Sequence, residues 1–169
     1  MLSTNTARVF AGYNRWCNER LYVAAAGLTE KEVRADLGVF FRSMLGTLNH
    51  ILVAVRIWMR RFTGSGDGPD RLDAILFPDL TGLQLARQAE DARIIGWVDG
   101  LADTDLADDF TYRTISGTQE FTQVLGGALL NMLNHQTHHR GQAHAILTGF
   151  ARDAPSFDLI AFQREAGRG

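Results

Sequence analysis

At 169 residues, 46% of them apolar and 21% charged, the chain has the length and composition of one soluble globular domain that can bury a core. A formal net charge of −2 and a basic set of one lysine, Lys31, and sixteen scattered arginines exclude the clustered basic face of a nucleic-acid binder. Cys17, the sole cysteine, excludes an intrachain disulfide.

The opening Met1–Phe10 lacks a basic segment followed by an apolar one, and no run approaches twenty apolar residues. A cytoplasmic protein without a membrane span is therefore the expectation. Ser3 or Thr4 can cap a first helix that runs to about Ala26 and stops at Gly27. Val9, Tyr13, Trp16, Cys17 and Val23 form its apolar stripe. Cys17 is expected as a small buried hydrophobe, with no activating neighbour for redox or nucleophilic work.

A second helix is predicted over Leu37–Phe62, with Phe41, Met44, Leu45, Leu48, Leu52, Val55 and Met59 inward. The run Thr63-Gly-Ser-Gly-Asp-Gly-Pro69 ends it and marks the mobile loop of the chain. After an ill-defined stretch to Pro78, a third helix spans about Leu80–Leu101, with Leu83, Ala86, Glu90, Ile94 and Val98 along one side. Glu90, Asp91 and Glu120 are read as solvated charges.

Alternation at Phe110, Tyr112 and Thr114, a Ser116-Gly117 turn and a return over Glu120–Thr122 predict a small β-hairpin. The last long helix runs from about Gln123 to Gly149, and Asp158 can cap a short helix through Gln163. The expected fold is all-α: an antiparallel four-helix bundle with a hairpin inserted before the last long helix and a short C-terminal helix. No repeat or boundary divides it, so residues 1–169 read as one domain.

Four of the five histidines fall within Asn134-His135-Gln-Thr-His138-His139-Arg140 and His144. His135 and His139, four apart, lie on one helix face, roughly 6 Å apart along the axis. Leu125, Leu129 and Met132 precede them on the same stripe, so the pair points to a core. Two buried imidazoles without partners are costly, and one metal ion satisfies both. The plain alternative is a pair of core or surface histidines without a ligand.

His50, mid-way along the second helix among Leu48, Ile51 and Leu52, supplies the third candidate ligand. Alone it would read as a satisfied core histidine; a facing histidine pair on another bundle helix changes that weighting. Three imidazoles leave coordination positions for water or substrate, as a catalytic site does. Gln142, on the same stripe, can hydrogen-bond a ligand. His138 and His144 lie off the stripe and are read as non-ligands. A His-Glu-x-x-His peptidase is excluded because position 136 is glutamine, which removes the general base. Arg140 is read as a surface or inter-helix donor, and Gly141 as a site of close helix packing.

The segment Asn134-His-Gln-Thr-His-His-Arg-Gly-Gln142, with Gly46-Thr-Leu-Asn-His50 upstream and the intervening hairpin, resembles the DinB (DinB/YfiT-like) family. Tyr13-Asn-Arg-Trp16 and Pro155-Ser-Phe-Asp-Leu159 extend the resemblance over nearly the whole chain. It implies a bundle with a three-histidine metal site, carried here by His50, His135 and His139. It also implies a homodimer and a small-molecule substrate, with relatives acting as thiol-dependent transferases and isomerases. Zinc or nickel is the first expectation for the ion, with iron or manganese next, and a low-molecular-weight thiol is the candidate cosubstrate. Val55 departs from the pattern, which places an aspartate there. The expected function is metal-dependent S-transfer or hydrolysis, with no catalytic residue assigned beyond the ligands. The alternative is a non-catalytic metal-binding or stress-related interaction protein.

Overall fold

Ser3 opens the first helix, its side chain accepting the Thr6 N–H, and α1 (Thr4–Ala25) follows. The computed structural model describes residues 2–167; Met1, Arg168 and Gly169, the ends of the expected domain, lie outside the described residues. Thr29 and Glu32 form a reciprocal capping box that starts a short α2 (Glu30–Arg34). Ser43 caps α3 (Met44–Thr63), and Asp79 caps α4 (Leu80–Asp99). A five-residue α5 (Asp103–Ala107) leads into β1 (Asp109–Arg113) and β2 (Glu120–Val124). These strands pair antiparallel with Tyr112 opposite Phe121. α6 (Leu125–Gly149) is the longest helix, and Asp158 caps α7 (Leu159–Glu165).

The long helices α1, α3, α4 and α6 form an antiparallel four-helix bundle built of two antiparallel pairs, α1 with α4 and α3 with α6. Two apolar clusters fill it. One joins Leu21 and Ala25 at the end of α1 to Met44, Leu48, Leu83, Ala143 and Ile146. The other joins Ala7 and Ala11 to Val55, Met59, Ile94, Val98, Leu129 and Met132. The chain therefore runs one way in α1 and α6 and the other way in α3 and α4. Residues 64–79 travel back along the bundle between α3 and α4, and this return passes the histidines.

Several local expectations need correction. α3 begins at Met44, seven residues after the predicted Leu37. Arg42 takes a left-handed φ of 68°, Leu37 N–H donates to the Arg42 carbonyl at 2.8 Å, and Ser43 then caps. In α1 the stripe sits differently. Val23 is 71% exposed, and the buried side is Ala7, Ala11, Asn14, Asn18, Leu21 and Ala25 together with Tyr13 and Cys17. Glu90 and Asp91 are buried, not solvated: Glu90 pairs with Arg56 and Arg93, and Asp91 with Arg87. Asn14 and Asn18 both donate to Asp91, which explains why amides occupy a core face. Gly141 is exposed, and a Cβ there would meet nothing within 4 Å, so it serves no helix packing. Val55 is fully buried in apolar surroundings, so its departure from the expected aspartate is a core substitution.

The glycine-rich run after α3 is tied at several points. Arg93 donates to the Ser65 carbonyl at 2.6 Å and the Thr63 hydroxyl at 3.0 Å, and Arg60 donates to the Gly68 carbonyl. No described helix is long and apolar enough to cross a membrane.

Candidate metal centre

α3 and α6 pack against each other and bring His50, His135 and His139 together. The Nε2 atoms are 3.1 Å apart for His50–His139, 3.1 Å for His135–His139 and 3.4 Å for His50–His135. Imidazole nitrogens about 2.0–2.1 Å from one ion stand about 2.9 Å apart at right angles and about 3.4 Å apart at the tetrahedral angle. The triangle fits that window. Among the described residues these three are the only histidine, cysteine or carboxylate group so clustered.

The outer nitrogens fix which way the inner ones face. His50 Nδ1 lies 2.8 Å from the Leu72 carbonyl, and His139 Nδ1 lies 2.8 Å from Gln142 Oε1. A carbonyl oxygen only accepts, so each Nδ1 carries the hydrogen and each Nε2 presents a lone pair. Two lone pairs then face each other at 3.1 Å with no proton between them. A cation at their centre turns this repulsion into attraction.

Protonation does not supply that cation near neutral pH. Burial lowers His50 and His135 to about 4, against the neighbouring backbone bond at His50 and reinforced at His135 by the adjacent imidazoles. His139 is lowered too, again chiefly by burial. His50 and His139 are 3% and 7% exposed. His135 is half-buried, and its Nδ1 is buried without a partner.

Three further residues shape the site. Phe41 stacks on the His50 ring with centroids 3.7 Å apart and planes 15° from parallel. Gly46 permits this, because a Cβ there would lie 2.1 Å from the Phe41 carbonyl oxygen. Asn49, fully buried next to His50, holds the return segment. Its Oδ1 accepts from the N–H groups of Leu76 and Phe77 at 2.8 and 3.1 Å, and its Nδ2 donates to the Phe77 and Leu45 carbonyls. Asn49 thus carries the strand of chain whose Leu72 carbonyl orients His50. Sequence reading missed it, although an amide inside the apolar run Leu45–Val55 was the available signal.

Gln142 takes the orienting position expected of it. His138 is exposed and stands beside His139 with ring centroids 4.8 Å apart, its nitrogens outside the triangle, and His144 packs against Phe157 away from it. Cys17 is fully buried, as expected, and burial raises its pKa. Arg140 is only 2% exposed and donates to Asn14 and Thr137 inside the bundle.

Beside the triangle is a cavity of about 280 Å3 lined by Phe40, Phe41, Leu72, His138 and Gln142 together with the three histidines. His135 and Leu72 also line a second cavity of about 450 Å3 that extends over Trp58 toward the hairpin turn. The histidines therefore face room for a small molecule.

The sequence matches the model of the DinB family over residues 1–168. A crystal structure of a DinB-like protein from Bacillus cereus superposes with a TM-score of 0.63 at 16% identity. The match covers 83% of this chain and 90% of that one, and shows a shared fold. No curated protein matches the chain.

Proposed function

The chain belongs to the DinB family, and on that premise we propose that it is a metal-dependent enzyme acting through one divalent ion on His50, His135 and His139. The observation that carries this reading is the convergence of three neutral imidazole nitrogens, at least two of them acceptors, beside a cavity. Zinc or nickel suits an all-imidazole set, with iron or manganese next. Such an ion lowers the pKa of a bound thiol or water and polarises a bound electrophile.

The chain's own residues decide between those nucleophiles. No carboxylate lines the cavity at the histidines, so a water nucleophile would lack a general base there. A thiolate needs none once formed, which favours transfer of a low-molecular-weight thiol over hydrolysis. Phe40, Phe41 and Leu72 give the site apolar walls suited to an electrophile of low polarity. The Leu72 carbonyl and Gln142 hold two imidazoles in the tautomer that can ligate. The alternative, a non-catalytic metal-binding or stress-related interaction protein, has no use for two adjoining cavities. The same reading places a single domain, residues 1–169, in the cytoplasm as a homodimer, for which exposed Val23 and Leu85 on α1 and α4 are available apolar contacts.

The test is metal content and thermal stability of the wild type beside His50→Ala, His135→Ala, His139→Ala and His144→Ala. About one ion per chain, lost in the first three variants and kept in the fourth, supports the reading. A wild type that takes up no metal after reconstitution sinks it. Thiol and electrophile assays then separate transfer from hydrolysis, and sedimentation velocity measures the dimer.

A further inference from the structure

The cavity of about 450 Å3 has His135 at one end and Arg61 at the other, with Ala54, Ile57 and Trp58 between them. Ala54, Ile57 and Arg61 follow one another at spacings of three and four along one face of α3 and span about 10 Å over two turns. The cavity is thus apolar between His135 and Arg61 and differs in chemistry at those two residues.

Arg61 is held in place without a charge partner. Its guanidinium carbon lies 4.7 Å from the Trp58 ring centroid and 4.8 Å from that of Tyr112, and Nη2 donates to the Arg113 carbonyl at 2.8 Å. Among the described residues it forms no ion pair, whereas Arg56, Arg71, Arg93 and Arg113 all do. A guanidinium has five N–H donors, and one is used here. Burial also lowers its pKa. Arg61 lines the neighbouring cavity of about 440 Å3 as well, where Arg60 and Arg113 join it and Asp70 is the only carboxylate.

We infer that this end of the cavity is an anion subsite. The substrate is an extended organic anion that places its reacting atom at the histidines and its carboxylate or phosphate on Arg61. This rests on the metal-centre reading for the reacting end; the anion end stands on Arg61 itself. A purely structural Arg61, bracing the hairpin against α3, would give no preference between charged and uncharged ligands of one length.

Matched probes test it. The zinc-loaded protein is titrated calorimetrically with 8-mercaptooctanoate, 8-mercaptooctan-1-ol and 8-mercaptooctyl phosphate at low salt, where such contacts are least screened. The acid is expected to bind at least about tenfold more tightly than the alcohol, the size of one charge-assisted hydrogen bond. That ratio falls to within about twofold in Arg61→Ala and is partly kept in Arg61→Lys. The better of the carboxylate and phosphate arms identifies the headgroup. Equal binding of acid and alcohol by the wild type, or a preference that survives Arg61→Ala, overturns the inference.

A second measurement separates the two readings. In the chelator-treated protein, octanoate should shift the Arg61 side-chain Nε–H resonance, assigned from its absence in Arg61→Lys, while octan-1-ol does not. No shift with octanoate overturns the anion subsite whatever the metal does. A shift without thiol binding to the zinc-loaded protein sinks the metal-centre reading and leaves the subsite standing.

Discussion

Asn49→Ala removes a side chain that touches no ligand and should nevertheless weaken the metal centre. Four hydrogen bonds are lost, and the N–H groups of Leu76 and Phe77, bound at 2.8 and 3.1 Å, are left without acceptors in a part-buried segment. Each orphaned donor costs about 1–3 kcal/mol, so the variant should be less stable by about 2–6 kcal/mol. The return segment then loses its anchor five residues beyond Leu72, and His50 Nδ1 loses its fixed acceptor. Loss of such an orienting partner weakens metal binding by about ten- to hundredfold. Urea denaturation of the metal-free protein measures the first effect, and competition with a chromophoric chelator the second. Asn49→Asp, which keeps the acceptor for both N–H groups, should recover much of the zinc affinity. A destabilised Asn49→Ala that binds zinc within twofold of the wild type would refute the link from Asn49 through Leu72 to His50.

Four shorter predictions test other parts of the structure. Gly46→Ala forces the Phe41 carbonyl away from α3 and removes the ring stacked on His50. Its expected loss is about 1–3 kcal/mol in denaturation, with weaker zinc binding. Gly141→Ala, at an exposed helical position with open space for a Cβ, should stabilise by about 0.5–1 kcal/mol and raise Tm by a few degrees in calorimetry. Asp91→Asn leaves Arg87 and Arg140 buried without a counter-charge and should destabilise by about 3–5 kcal/mol in the same urea assay. Cys17, raised above its ordinary 9.0 by burial, stays a neutral thiol in the folded chain. Its contribution to stability is complete below the unfolded thiol's pKa and falls as pH rises through it. Iodoacetamide should therefore leave Cys17 unmodified at pH 8 in the folded protein and label it in urea; rapid labelling of the folded chain counts against its burial.

The readable parts of the site were those where spacing alone constrains geometry. His135 and His139 at i and i+4 share a face on any helix, and the apolar residues before them fixed that face inward. The alternation at Phe110–Thr114 announced the hairpin, and Asp158 announced its helix. What could not be read were contacts made by the backbone or across the bundle. The Leu72 carbonyl orients His50, yet a carbonyl leaves no trace in residue identity. Phe41 was expected inside a helix and instead reaches His50 from a turn held by a left-handed Arg42. Asn14, Asn18, Glu90 and Asp91 look like solvent-facing residues until their partners are known, because polarity alone does not distinguish water from a buried partner. Both α2 and α5 are too short for periodicity to reveal, although the Thr29–Glu32 capping box was visible.

These buried polar residues explain how α6 is held at one rotation. Gln136 and Arg140 each follow a site histidine by one position, so they point about 100° away from it around the helix. One face of the same two turns carries His135 and His139 toward His50 on α3. The other sends Arg140 to Asn14 on α1 and sets Gln136 Oε1 3.5 Å from Arg87 of α4. Asp91 closes the layer between the two apolar clusters, accepting from Asn14 and Asn18 and forming an ion pair with Arg87. Apolar contacts tolerate rotation of a helix by a fraction of a residue, whereas these directional bonds do not. The same turn of helix therefore supplies both the imidazoles and the polar grip that aims them, which is why the His-Gln-Thr-His-His-Arg segment reads as a unit rather than as two histidines with incidental neighbours.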